Sequence, residues 1–121
     1  MSINAFLLVI ASVCLSGLGQ VAFKLGVSRL SFEAGASAIQ KTMGFAASPF
    51  ILAGLAAYGV GTLFWLFALR QLDLSLAYPF VAISFIVVFA IGVIGLGEPW
   101  NNTRALGLAI ITLGLIVMAR A

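Results

Sequence analysis

PFILAGLAAYGVGTLFWLFAL, residues Pro49–Leu69, runs without a charged side chain from end to end. Its length is close to the roughly 20 residues that an α-helix needs to cross about 30 Å of hydrocarbon. Three further stretches read the same way: Ile3–Phe23, Ser75–Leu96 and Thr103–Ala119. The charged residues lie at or beyond the ends of these stretches. The chain is therefore expected to be an all-α integral membrane protein, a single unit over residues 1–121 with four transmembrane helices. A protein of that kind moves something, binds something lipid-like, or assists a larger partner.

Composition narrows the classes. Of 121 residues, 64% are hydrophobic and 7% charged, against about 25% charged in a soluble domain. The formal net charge of +3 comes without a basic run, which suits membrane lipids with anionic headgroups and argues against a nucleic-acid partner. There is no His and Cys14 is the only Cys, so a Cys/His zinc site and an intramolecular disulfide are both excluded. Cys14 reads as a small apolar packing residue. No carboxylate lies within a span and no nucleophile has a neighbouring base, so enzymatic chemistry and a cofactor are not expected. The first apolar stretch is too long for a signal-peptide core and lacks a basic leader, so it reads as a retained helix.

In helix 1, Ser12, Ser16, Gln20 and Lys24 recur every four residues. That spacing places them along one slowly drifting side of a helix. As a set they read as a cavity-facing stripe, because Gln and Lys are costly against lipid. Gly17 and Gly19 beside it permit close approach of a backbone or ligand. Residues 25–48 form a polar connection in which Phe32, Ala36, Ile39 and Met43 have helical spacing, consistent with a short interfacial helix or with an ordered loop. In helix 2, Pro49 suits a first helical position, and Ala53, Ala57 and Gly61 form a small-residue ridge suited to helix packing. Tyr58, Trp65 and Phe67 supply aromatic surface. Trp65 faces either a binding cavity or the interfacial belt. The short link at Gln71-Leu72 makes helices 2 and 3 antiparallel neighbours.

Pro79 cannot donate to the Ser75 carbonyl, so it sits in a first turn or kinks helix 3. Gly95-Leu96-Gly97-Glu98-Pro99 ends that helix. Asn101, Asn102 or Thr103 caps helix 4, where Gly107 and Gly114 share one face, as a packing seam needs. Lys24, Arg29, Lys41 and Arg104 fall on one side of the membrane, Arg70 and Arg120 on the other. That split favours the first and third connections in the cytoplasm and both termini outside; counting Lys24 with helix 1 reduces it to three against two, a bias compatible with insertion in both orientations.

Several motifs in order now carry a resemblance: Leu15-Ser16-Gly17-Leu18-Gly19-Gln20 with Lys24, then Trp65-Leu66-Phe67-Ala68-Leu69, Leu74-Ser75-Leu76-Ala77-Tyr78-Pro79, Gly97-Glu98-Pro99, Gly107-Leu108 and Gly114-Leu115. Together they resemble the small four-helix branch of the drug/metabolite transporter superfamily. Within it, the match is nearer to the flippase subunits for undecaprenyl-phosphate-aminoarabinose than to the small multidrug exporters. The exporters depend on a helix-1 glutamate, and Ser16 stands at that position here.

The resemblance implies a flippase of the bacterial inner membrane, moving a polyprenyl-phosphate-linked monosaccharide. It also implies a homodimer, or a heterodimer with a similar four-helix subunit, sealed at Gly107 and Gly114. The expected substrate-binding residues are Ser16, Gln20, Lys24, Trp65, Tyr78 and Glu98. Lys24 reads as the phosphate partner or as a snorkelling helix-end cation. Glu98 reads an amino sugar, or caps helix 4 and pairs with Arg104. An exporter of organic cations or metabolites and a non-transporting accessory subunit stand as the alternatives.

Overall fold

The computed structural model describes residues 2–120, so the end positions of the expected 1–121 unit lie outside the described residues. The helices are α1 (Ile3–Arg29), α2 (Ala38–Ala47), α3 (Pro49–Leu69), α4 (Leu74–Ala77), α5 (Ala82–Ile94) and α6 (Asn102–Ala119). A 3-10 turn, Tyr78–Val81, joins α4 to α5. Four segments are long and apolar enough to span a bilayer: α1, α3, the Leu74–Ile94 segment and α6. Large apolar side chains such as Ile94, Val117 and Ile3 stand exposed around them. Such a surface is stable only against lipid or another apolar partner.

Helix ends follow local chemistry. Ser2, Ser37, Ser48 and Asn101 each accept a hydrogen bond from a backbone N–H in the first turn of the helix that follows, satisfying an otherwise orphan donor. At α2, Ser37 and Gln40 exchange such bonds in a capping box. The connection after helix 1 thus contains a real helix, although Phe32 and Ala36 fall before it. Phe32 folds back edge-on against Phe45, 5.7 Å between ring centroids. Pro79 sits in the 3-10 turn, where the regular ladder is interrupted. Gly97 adopts φ +71°, a left-handed conformation that suits glycine. It turns the chain so that the Glu98 N–H donates to the Gly92 carbonyl at 2.9 Å.

The bundle centres on α1. Its buried face runs Ala5, Val9, Ser12, Val13, Gly17, Gly19, Gly26 and packs mainly on α3, secondarily on α5. The α1–α3 pair is antiparallel: Ser12 meets Gly61, Gly19 meets Gly54, and Gly26 meets Ile51. The packing face of α3 is therefore Gly54, Gly61 and Ala68, seven apart, and not the expected Ala53–Ala57–Gly61 ridge. Ala53 is exposed and Ala57 half-buried. A spacing of seven stays on a seam between nearly antiparallel helices, whereas a spacing of four drifts by about 40° per step.

Val9, Val13, Ala68 and Phe80 form the core cluster, with Phe6 edge-on to Phe80 at 6.3 Å. Helix α6 lies at the edge of the bundle, with none of its residues buried. A Cβ added at Gly107 or Gly114 would meet nothing within 4 Å.

Candidate functional site

A groove of about 660 Å³ opens between α1, α3, the third span and the start of α6. Its wall along the third span runs from Tyr78 to Val93, about 22 Å at 1.5 Å rise per residue. The groove thus covers much of the depth of a hydrocarbon layer. Exposed lining residues, among them Gln20, Tyr58, Thr62, Phe85 and Val88, leave it open at the side.

Each helix contributes by its own periodicity. On α1, Ser12, Ser16 and Gln20 line the groove, as the four-residue stripe predicts. Lys24 is exposed but is not among the lining residues. The reason is geometric: each step of four advances about 40° around the helix, so Lys24 lies about 120° from Ser12. Because α1 continues to Arg29, Lys24 is also a helical residue and not part of the connection. On α3, Tyr58, Thr62 and Trp65 lie four and three apart on one face and all reach the groove. Trp65 is edge-on to Tyr78 at 6.3 Å, so Trp65 faces the cavity. Of the six expected site residues, Ser16, Gln20, Trp65, Tyr78 and Glu98 come together there and Lys24 does not.

The polar groups divide into committed and free. Ser12 Oγ donates to the Gly61 carbonyl at 2.7 Å and Thr62 Oγ1 to the Tyr58 carbonyl at 2.9 Å. Ser84 Oγ donates to the Val81 carbonyl. No side-chain hydrogen bond of Ser16, Gln20, Tyr58, Tyr78, Glu98 or Arg104 is present among the described residues. Those groups are available to a ligand. Glu98 and Arg104 are the charged members of the lining and share one end of the groove; Trp65 and Tyr78 form an aromatic opposite end.

Glu98 does not take the capping role weighed for it. Asn101 caps α6, accepting from the Arg104 N–H at 3.0 Å, and no Glu98–Arg104 ion pair within 4.0 Å occurs among the described residues. The Glu98 carboxylate lies instead over Gly92, where an added Cβ would come within 3.0 Å of Oε1. Arg104, Tyr58 and Thr62 were not expected at the site. The Tyr58–Thr62–Trp65 spacing was a readable signal. Arg104 also left one, since a cation in the first turn of a helix opposes the helix dipole.

No protein-family model matches the chain, and no solved structure is a significant match. Curated proteins do match. A probable 4-amino-4-deoxy-L-arabinose-phosphoundecaprenol flippase subunit ArnE of Proteus mirabilis is 37% identical over 114 residues, covering 94% of this chain and 95% of the relative. The corresponding ArnE of Pseudomonas aeruginosa is 31% identical over 114 residues, covering 94% and 96%. A probable ArnF subunit of the same flippase from Shewanella sediminis is 29% identical over 127 residues, covering 96% and 88%. With such identity over nearly the full length of both chains, this protein belongs to the family of 4-amino-4-deoxy-L-arabinose-phosphoundecaprenol flippase subunits.

Proposed function

We propose that the chain is a subunit of a flippase that carries a polyprenyl-phosphate-linked monosaccharide, such as 4-amino-4-deoxy-L-arabinose-phosphoundecaprenol, from the cytoplasmic to the outer leaflet of the bacterial inner membrane. The observation that carries this reading is the side-open groove, which runs about 22 Å along the third span and sets Ser16, Gln20, Tyr78 and Glu98 into a largely apolar lining. A phosphate diester and a sugar cannot cross hydrocarbon unaided, whereas a prenyl tail needs no shelter there. A side-open groove shields only the part that needs it.

In this reading Ser16, Gln20 and Tyr78 hydrogen-bond the headgroup, and Trp65 offers an aromatic face to the sugar. Lys24 acts as a snorkelling cation at the bilayer surface. The first and third connections face the cytoplasm. Two four-helix subunits associate, consistent with the ArnE and ArnF names of the relatives. The transport step needs no chemistry on the substrate, so the subunit is a carrier and not an enzyme.

The test is reconstitution into vesicles with a polyprenyl-phosphate aminopentose in one leaflet, alone and with a similar four-helix subunit. Accelerated appearance of the headgroup in the other leaflet is expected. Protein-free rates in both preparations would falsify the reading.

A further inference from the structure

The charged end of the groove has a feature that a general lipid-phosphate carrier does not need. Glu98 and Arg104 both line it, yet they are not paired with each other. Both side chains are exposed, so neither charge is neutralised within the chain and each is free to take an oppositely charged group of a ligand.

Local structure holds them so. The left-handed turn at Gly97 and the bond from the Glu98 N–H to the Gly92 carbonyl fix the backbone that carries the carboxylate. The absent side chain of Gly92 leaves the space that the carboxylate occupies. Arg104 is set in the first turn of α6 by the Asn101 cap. There it opposes the helix dipole, so a fold-stabilising role does not account for it. Gln20 and Tyr58, both with free polar ends, line the same groove.

We infer that Glu98 and Arg104 are the two poles of a zwitterion-selecting headgroup site, Arg104 taking the phosphate and Glu98 a protonated amine on the sugar. This rests on the reading of the groove as a lipid-linked sugar site and assigns its selectivity. The guanidinium presents a planar fork of donors to phosphate oxygens. The carboxylate only accepts hydrogen bonds, so it favours an ammonium and disfavours a headgroup whose sugar is uncharged or acidic. A lipid lacking the amine leaves Glu98 unpaired beside its own phosphate.

The test uses the full chain in lipid nanodiscs and two probes: a polyprenyl phosphate bearing a 4-amino-4-deoxypentose, and its N-acetyl derivative. Affinity is read from the tryptophan fluorescence, since Trp65 lines the groove and Trp100 packs edge-on against Phe89 of its wall. The wild type is expected to bind the amine lipid about tenfold or more tighter, a difference of about 1.4 kcal/mol. In Glu98→Gln the preference disappears through weaker amine binding, while N-acetyl binding changes by less than about twofold; that retained binding also reports an intact fold. Glu98→Asp, which keeps the charge, retains a preference for the amine. Arg104→Gln weakens both lipids alike. Equal affinity of the wild type for the two lipids, or a preference that survives in Glu98→Gln, overturns the Glu98 assignment and leaves the flippase reading standing. A wild type that binds neither lipid, alone or together with a similar four-helix subunit in the nanodisc, overturns both.

Discussion

Gly19 and Gly54 face each other so closely that a Cβ on Gly19 would lie 2.9 Å from the Gly54 carbonyl oxygen, and one on Gly54 would lie 2.8 Å from that of Gly19. Both obstacles are backbone, so neither can move without parting α1 from α3. Gly54→Ala is expected to destabilise by about 1–3 kcal/mol, the usual range for overpacking. Gly59→Ala provides the contrast, because a Cβ there meets nothing within 4 Å, and it should leave stability unchanged or raise it by up to about 1 kcal/mol, the helix-propensity gain over glycine. Thermal unfolding in detergent reads both. Equal melting of Gly54→Ala and wild type would mean that the two helices do not approach at this point.

Ser12 joins the same two helices by its bond to the Gly61 carbonyl. That carbonyl lies inside α3, so it can also accept from its own helix. Ser12→Ala should therefore cost only about 0.6–2 kcal/mol, the range for interhelical side-chain bonds in membranes. A loss much larger than this would show that Ser12 does more than join the helices.

The four spans were legible because an apolar run of membrane length has few other stable fates. The face each helix presents was legible only in part. The Ser12–Ser16–Gln20 stripe predicts its side of α1 correctly, but extending it to Lys24 ignores the drift of a four-residue spacing. The seam of α3 was read from Ala53, Ala57 and Gly61, whereas the contact with α1 selects Gly54, Gly61 and Ala68. One helix alone cannot reveal which of two small-residue ridges its neighbour will choose. The place of Arg104 in the groove was not legible, because it depends on the turn between α5 and α6. That turn is set by Gly97 and by the backbone bond to Gly92, and neither the turn's direction nor that bond shows in residue spacing.

Lys24 and Gln20 are one helical turn apart yet differ in surroundings, since Gln20 lines the groove and Lys24 does not. In the reconstituted transport assay Lys24→Ala is expected to stay within about twofold of wild type, as surface cations contribute little. Gln20→Ala should slow headgroup movement by about tenfold, the effect of one lost polar contact of about 1.4 kcal/mol. A large defect in Lys24→Ala at normal membrane abundance would return the phosphate role to Lys24.

Trp65 and Phe67 test which aromatic side chains serve the groove. Trp65 stands in the lining, edge-on to Tyr78, while Phe67 is exposed elsewhere on α3. Trp65→Ala should reduce transport about tenfold or more through loss of the aromatic face and of the contact with Tyr78. Phe67→Ala faces a different environment and should alter transport by less than about twofold. Similar losses in both would indicate general damage to α3 and count against a specific wall for the sugar.

Helix α6 gives the last prediction. None of its residues is buried within the chain, and Gly107 and Gly114 border open space on one face. Glycines in a lipid-facing position supply no side chain for lipid contact and carry an intrinsic helix penalty of about 1 kcal/mol each relative to Ala. A partner helix that approaches closely offsets this penalty. Under the proposed two-subunit assembly, Gly107→Leu and Gly114→Leu should abolish dimers in native mass spectrometry, with or without a second subunit present. The isolated four-helix fold should survive, because space is free at both positions, and an unchanged helical circular-dichroism spectrum would verify that. Dimers persisting in both variants would move the seam off this face of α6.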